Sequence, residues 1–244
     1  MRAINRFNSP LSACVALGVA VAFSCRPVSA QTYDISTDFD TNSNPSTING
    51  GTFSYGFETS LGTGFTLFTL QGGSTPTIKG WTGSGGFPLV EKNTSNSPQS
   101  FADFTLQPGQ MVLHPSSNGS YAIVRFTTPT SGNYSLNTLF TALSTGGTDV
   151  HVLRNNLAIF DSSVLSTGAT QSYNPASLSL PAGSTLDFAV GFGQDGSFIS
   201  DSTAVAGTIT KINQAPSTPE PGSLALLMVS GLTGAGLLRR RRRK

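Results

Sequence analysis

The chain has 244 residues, with 14 Lys and Arg against 12 Asp and Glu, a formal charge of +2, 27 glycines and only 11% charged residues. Nine of the basic residues sit near the two ends, so the stretch 31–212 keeps only Lys79, Lys92, Arg125, Arg154 and Lys211 against eleven acidic residues and is near −6. This excludes a nucleic-acid partner, since no basic stripe remains to release counterions from phosphates. Both cysteines, Cys14 and Cys25, fall in the N-terminal segment, so the central stretch has neither disulfide nor thiol chemistry.

At the N-terminus, Arg2 and Arg6 precede an apolar stretch over 11–23, and Val28-Ser29-Ala30 supplies small residues at the end of it. This order is that of a signal peptide over 1–30, cut by signal peptidase between Ala30 and Gln31. The chain is therefore expected to be exported.

From 31 to 212 the sequence is rich in Gly, Ser, Thr, Asn and Phe and has no helical periodicity, so an all-β domain is expected. Short runs of β-branched and aromatic residues predict strands over 33–39, 52–57, 65–70, 109–114, 121–127 and 132–142. Residues 150–154 and 157–160 predict a hairpin. Asn155-Asn156 between them tolerates the positive φ that a type I′ turn needs. Strands follow over 177–180, 185–192 and 204–212, with Pro181-Ala182-Gly183-Ser184 as a turn. So many strands do not lie in one flat sheet, and a two-sheet antiparallel jelly-roll sandwich is the expected architecture.

Residues with chemistry are sparse. The histidines are His114, before Pro115 at a strand end, and His151, with Asp149 two residues earlier on the same strand face. No His-x-His metal pattern, zinc spacing or Gly-x-Ser-x-Gly elbow appears. A glycosidase would need two carboxylates, and the stretch has only two glutamates, Glu58 and Glu91, to set beside its aspartates. The expectation is no enzyme. Trp81, the single tryptophan, lies in Lys79-Gly80-Trp81-Thr82-Gly83, a loop or strand edge. It either plugs the core or offers a ring to a pyranose, and Tyr55 carries the same two readings. Asp195 and Asp201 flank a polar loop where oxygen ligands could hold a structural calcium; no other cofactor is expected. Asn-x-Ser/Thr sequons occur at Asn93, Asn118 and Asn133.

Beyond a short linker at 213–218, the segment 219–244 runs Pro219-Glu220-Pro221, an apolar stretch over 224–238, then Arg239, Arg240, Arg241, Arg242, Arg243 and Lys244. The apolar part is 15 residues, roughly 22 Å as a helix against a hydrocarbon core of ~30 Å, which suits a transient transmembrane helix better than a permanent span. A terminal basic cluster stops translocation. The arrangement resembles the PEP-CTERM sorting signal. That resemblance implies recognition of Pro219, Glu220 and Pro221 by an exosortase, with Arg239 to Lys244 as the stop-transfer end. It also implies brief anchoring in the inner membrane of a Gram-negative bacterium, then passage to the cell surface or extracellular matrix. Two stretches of the central domain carry further likeness. Tyr33-Asp34-Ile35-Ser36 through Phe53-Ser54-Tyr55-Gly56-Phe57 is similar to the start of an uncharacterised exported domain common among PEP-CTERM proteins. The hairpin with the later Leu180-Pro181-Ala182-Gly183-Ser184 turn resembles carbohydrate-binding-module-like jelly rolls. The expected function is thus a non-catalytic surface or exopolysaccharide-matrix protein. The alternative is a lectin-like carbohydrate-binding module, and a secreted hydrolase stands third.

Overall fold

The computed structural model describes residues 30–213. The signal segment 1–29, the sorting motif Pro219, Glu220 and Pro221, the apolar run and the basic end Arg239 to Lys244 lie outside the described residues, as does the linker after Asn213. Ala30 and Gln31 are exposed, immediately before the first strand. Among the described residues no helix is long and apolar enough to cross a membrane.

In chain order the strands are β1 (Thr32–Asp34), β2 (Phe53–Glu58), β3 (Thr66–Leu67), β4 (Leu70–Thr75), β5 (Ile78–Thr82), β6 (Leu89–Asn93), β7 (Gln99–Ser100), β8 (Thr105–Leu106), β9 (Met111–His114), β10 (Tyr121–Thr127), β11 (Gly132–Ala142), β12 (Thr148–Arg154), β13 (Leu157–Val164), β14 (Thr170–Tyr173), β15 (Leu178–Leu180), β16 (Thr185–Gly191) and β17 (Thr203–Ile212). One sheet runs β14-β11-β17-β9-β6-β5-β4, with β1 also on β17 and β15 also on β11. The other runs β13-β12-β16-β10-β2-β3, and β7-β8 is a separate hairpin. Every pairing is antiparallel. The protein is an all-β, two-sheet jelly-roll sandwich.

Strand alternation sorts the side chains. Val150 and Val152 of β12, Leu186, Phe188 and Val190 of β16, and Ala122, Val124 and Phe126 of β10 point into the sandwich. There they meet Met111, Leu113, Tyr134, Leu136, Phe140, Val205 and Ile209 of the larger sheet. Without a disulfide in this stretch, that interdigitated layer supplies the stability, at ~1.5–3 kcal/mol for each fully buried large apolar side chain.

The Asn155-Asn156 turn is as expected, with φ of 49° and 66°, and Arg154 pairs with Leu157 across it. Several boundaries differ. The strand expected over 33–39 stops at Asp34, because Asp34 Oδ1 accepts the Ser36 and Thr37 amides and bends the chain. The stretch 65–70 is split: Thr66–Leu67 pairs with β2, while Leu70 opens β4 in the opposite sheet. The strand expected from 109 starts at Met111, since Gly109 has φ 73° and Gln110 donates back to Gln107 O.

Between β6 and β9 the chain makes an excursion over 94–110 that lies on the outer face of the larger sheet. Its neck is tied by Asn93, fully buried, whose Nδ2 donates to the carbonyls of Ser97 and Leu106 at 2.9 Å each. The first sequon is therefore enclosed and used structurally. Leu106 from the excursion packs on Ile78, Leu89 and Val112, with Phe101 and Phe104 against them, as a second small core.

Candidate functional site

Beside that second core is a half-enclosed cavity of about 300 Å³. Its floor comes from two paired strands. Leu89 of β6 stands opposite His114 of β9, and Glu91 opposite Val112, all four on the outer face of the sheet. Its walls are Phe101, Asp103 and Phe104 from the tip of the β7-β8 hairpin, Phe87 from the loop before β6, and Ile199, Ser200 and Ser202 before β17. Phe101 and Phe104 stack at 4.6 Å with 15° between planes. Phe87 packs on the His114 ring at 4.7 Å and on Phe198 at 5.7 Å, and is 37% exposed.

The polar groups of the cavity are two carboxyls, one imidazole and three serine hydroxyls. Glu91 is buried, and burial raises its pKa against the lowering effect of hydrogen bonds from Ser74, whose Oγ donates to Oε2 at 2.7 Å. Burial likewise lowers the His114 pKa and keeps the ring neutral. His114 Nδ1 lies 2.9 Å from Pro115 O, an acceptor, so Nδ1 carries the proton and Nε2 is left as an acceptor. Asp103 is exposed at the hairpin tip. Aromatic walls with a few convergent polar groups are the usual make-up of a small-molecule site, and the volume is at the lower end of the ~300–1,000 Å³ range of such sites. A polar groove of about 640 Å³ adjoins it, sharing Ser74 and bordered by Thr41, Gln71 and Lys79.

The aromatic residues expected to touch a glycan do not line this cavity. Trp81 is not in a loop: it is in the middle of β5, 6% exposed, with its side chain in the inter-sheet core and Nε1 donating to Asp40 O at 2.8 Å. The neighbouring Gly80 lets β5 and β6 close up here, as a Cβ would come within 2.1 Å of Val90 O. Tyr55 is fully buried, its ring 4.5 Å from Phe39 and its hydroxyl accepting the Asp40 amide. Both are core residues, the first of the two readings their sequence setting allowed, and not sugar platforms. Trp81 emission is accordingly expected to be blue-shifted, to resist acrylamide quenching until the protein unfolds, and to be unmoved by sugars. A red-shifted, readily quenched emission would contradict this burial.

Asp195 and Asp201 are placed differently from each other. Asp195 is exposed, its Oδ1 accepting the Ser197 amide. Asp201 is fully buried, and neither carboxylate oxygen has a hydrogen-bond partner. Burial, then the charges of Asp195 and Asp149, push its pKa up to about 7. Orphaned carboxylate oxygens are ligands that Ca²⁺ takes, so Asp201 fits an oxygen-bound cation and Asp195 adds charge without an enclosed ligand. Among the described residues no group of three or more His, Cys, Asp or Glu is arranged to hold a metal.

The outer face of the smaller sheet carries two polar clusters. His151 Nδ1 is 2.6 Å from Asp161 Oδ1 and its Nε2 is 2.8 Å from Asp149 Oδ2, while Tyr121 donates to Asp149. Burial lowers the His151 pKa, but the bonds and charges of Asp149 and Asp161 outweigh it and the net shift is upward. With both nitrogens facing carboxylates, the arrangement favours the protonated ring, in which neither nitrogen has a free lone pair to act as a general base. Next to it, Arg125 makes a bidentate pair with Asp187, Nε–Oδ1 2.6 Å and Nη2–Oδ2 2.8 Å. Its Nη2 is 3.8 Å from Glu58 Oε1, and its guanidinium lies 4.2 Å over the Phe65 ring.

No protein-family model matches the chain, and no curated protein matches it. Solved structures similar to it include a family 35 carbohydrate binding module from Clostridium thermocellum, at 16% identity over 46% of this chain and 85% of that one, with a TM-score of 0.31. Another is a family 35 carbohydrate binding module from an environmental isolate, at 14% identity over 53% of this chain and 98% of the other, TM-score 0.30. A third is a Podospora anserina GH26-CBM35 β-(1,4)-mannanase, at 14% identity over 61% of this chain but only 27% of that one, TM-score 0.30. At such identities and scores these likenesses carry nothing about what this chain binds.

Proposed function

We propose that the protein is an exported, non-catalytic surface component whose β-sandwich binds a saccharide in the cavity between the β7-β8 hairpin and the outer face of β6 and β9. The observation that carries this reading is the wall of phenylalanine rings beside acceptor groups, Glu91, Asp103 and His114 Nε2, in one concave site. A pyranose offers apolar C–H faces to rings and hydroxyl donors to acceptors at the same time, which matches that division. The shared Ser74 gives a polymer a route from the cavity into the polar groove. Export through the segment cut after Ala30, and exosortase sorting through Pro219, Glu220 and Pro221, place the domain at the cell surface, where exopolysaccharide is the partner at hand.

Titration calorimetry with neutral, amino and acidic polysaccharides tests the proposal. Saturable binding to one class is expected, weakened about tenfold (~1.4 kcal/mol) by Phe87→Ala through loss of ring contact. Leu157→Ala, at an exposed residue of the β12-β13 hairpin, should leave it unchanged. No new reducing ends should form on long incubation. A folded protein that binds nothing in the panel would sink the saccharide reading and leave a purely structural matrix role.

A further inference from the structure

The charge of the cavity narrows the ligand further, and this step rests on the saccharide reading above. Two carboxyl groups face it from different elements, Glu91 from the β6 floor and Asp103 from the hairpin tip. Among the described residues no Lys or Arg lines it. Glu91 is 4% exposed, and the only hydrogen bonds it accepts come from Ser74. Asp103 has no ion-pair partner among the described residues. The remaining facing groups are the neutral His114 ring and the hydroxyls of Ser74, Ser200 and Ser202.

The domain's five cations are engaged or placed elsewhere. Arg125 is held by Asp187 on the opposite sheet, Arg154 ends β12 of that same sheet, Lys92 Nζ donates to Ser36 O, Lys211 Nζ to Thr130 Oγ1, and Lys79 borders the neighbouring groove. Two carboxyls and a bare imidazole nitrogen around aromatic walls, beside serine hydroxyls that both donate and accept, make a site richer in acceptors than in donors and short of positive charge. A uronic acid would bring a third carboxylate into it, and an N-acetyl group would bring bulk and another acceptor. An ammonium supplies three donors and the missing charge, and a cation against a ring face gains further. The acidic central domain, near −6, attracts a polycation at longer range.

We infer that the cavity selects an amine-bearing pyranose, as in a de-N-acetylated polysaccharide, with Glu91 and Asp103 receiving the ammonium and the phenylalanine rings receiving the sugar face.

The experiment compares three soluble tetramers by calorimetry on the whole protein: glucosamine, N-acetylglucosamine and galacturonate. The glucosamine tetramer should bind about tenfold more tightly than its acetylated counterpart, a preference that weakens with added salt, and galacturonate should bind weakest. Asp103→Asn, at an exposed position where folding is not at risk, should bring the amine preference close to unity while leaving the affinity for the acetylated tetramer within about twofold. Equal or tighter binding of the acetylated or the acidic tetramer would overturn the amine selectivity and leave the saccharide site standing. An amine preference untouched by Asp103→Asn would remove the charge from this cavity. Absence of binding to all three would overturn the inference together with the saccharide reading.

Discussion

Arg125→Met should destabilise the protein by about 3–5 kcal/mol, because it strands a buried carboxylate. Asp187 is fully buried and lies directly across from Arg125 in the β10-β16 ladder, so its two oxygens are met by one guanidinium and nothing else of opposite charge. Glu58, also fully buried, has Oε1 without a hydrogen bond; its Oε2 accepts the Gly62 amide at 2.6 Å, and among the described residues the same Arg125, at 3.8 Å, is the cation beside it. Burial raises the pKa of both acids, so on loss of the arginine both would be driven to protonate. The Phe65 ring would also lose the cation it packs under. A fall in Tm of about 10 °C or more at neutral pH is expected for a domain of this size. The loss should shrink toward mildly acidic pH, as the freed carboxyls take up protons. Replacing Asp187 with Leu in the same chain should recover much of the loss, since removing both members of a buried pair costs far less than removing one. Thermal scans of the single and double variants decide it. A single variant as stable as the parent would show that the pair contributes nothing.

Asp201→Asn is expected to stabilise the protein above neutral pH. The folded pKa of about 7 lies well above the ordinary carboxylate value near 3.9. Between those limits the folded state binds more protons than the unfolded state, so this residue lowers stability progressively as pH rises from about 4 to about 7. Asparagine keeps the shape and removes the charge. Its advantage should be absent near pH 4 and reach the order of 1–3 kcal/mol above pH 7, the scale of an unpaired buried polar group. Glu58, Glu91 and Asp187 tilt the parent in the same direction, whereas Asp40 and Asp149, whose pKa values are lowered, tilt it the other way. The difference between parent and variant, from denaturant midpoints across pH, isolates Asp201. If a cation is held there, calcium should flatten the parent's slope and leave the asparagine variant unmoved. Parallel curves for the two proteins, with or without calcium, would mean that Asp201 is not a stranded charge.

The fold was more legible in the residues than the site. Runs of β-branched, aromatic and aliphatic residues over β10, β12 and β16 and the Asn155-Asn156 turn announce strands and a hairpin directly, and the structure has them. Strands β4 to β8 went unread because β4 is mostly glycine, serine and threonine, β5 and β6 are short and interrupted by glycine or charged residues, and β7 and β8 are two residues each. Gly72 and Gly80 are there for close strand approach rather than for turns. This is also why Trp81 read as a loop residue: its flanking glycines look like turn residues until the neighbouring strand is in view. The cavity draws on segments spread from Ser74 to Ser202, which no local pattern connects. One signal was present. In Leu89-Val90-Glu91, a strand with both faces covered carries a glutamate, and a carboxyl buried at such a position is commonly kept for a use. The Asp149 and His151 pair was visible as neighbours on one strand face, while Asp161 joins only through the β12-β13 register.

The ladder around β17 has a mechanical consequence. The strand is ten residues long and bonded along one side to β11 and along the other to β1 and then β9, and the chain leaves it at residue 213. Tension arriving from beyond that residue pulls along the strand axis, so the rungs on both sides are loaded together in shear instead of being peeled open in turn. A domain held by its C-terminal end against drag on a bound polymer would thus meet the load at one of its most extensively laddered strands, while the cavity proposed to take a saccharide is built on β6 and β9 of the same sheet.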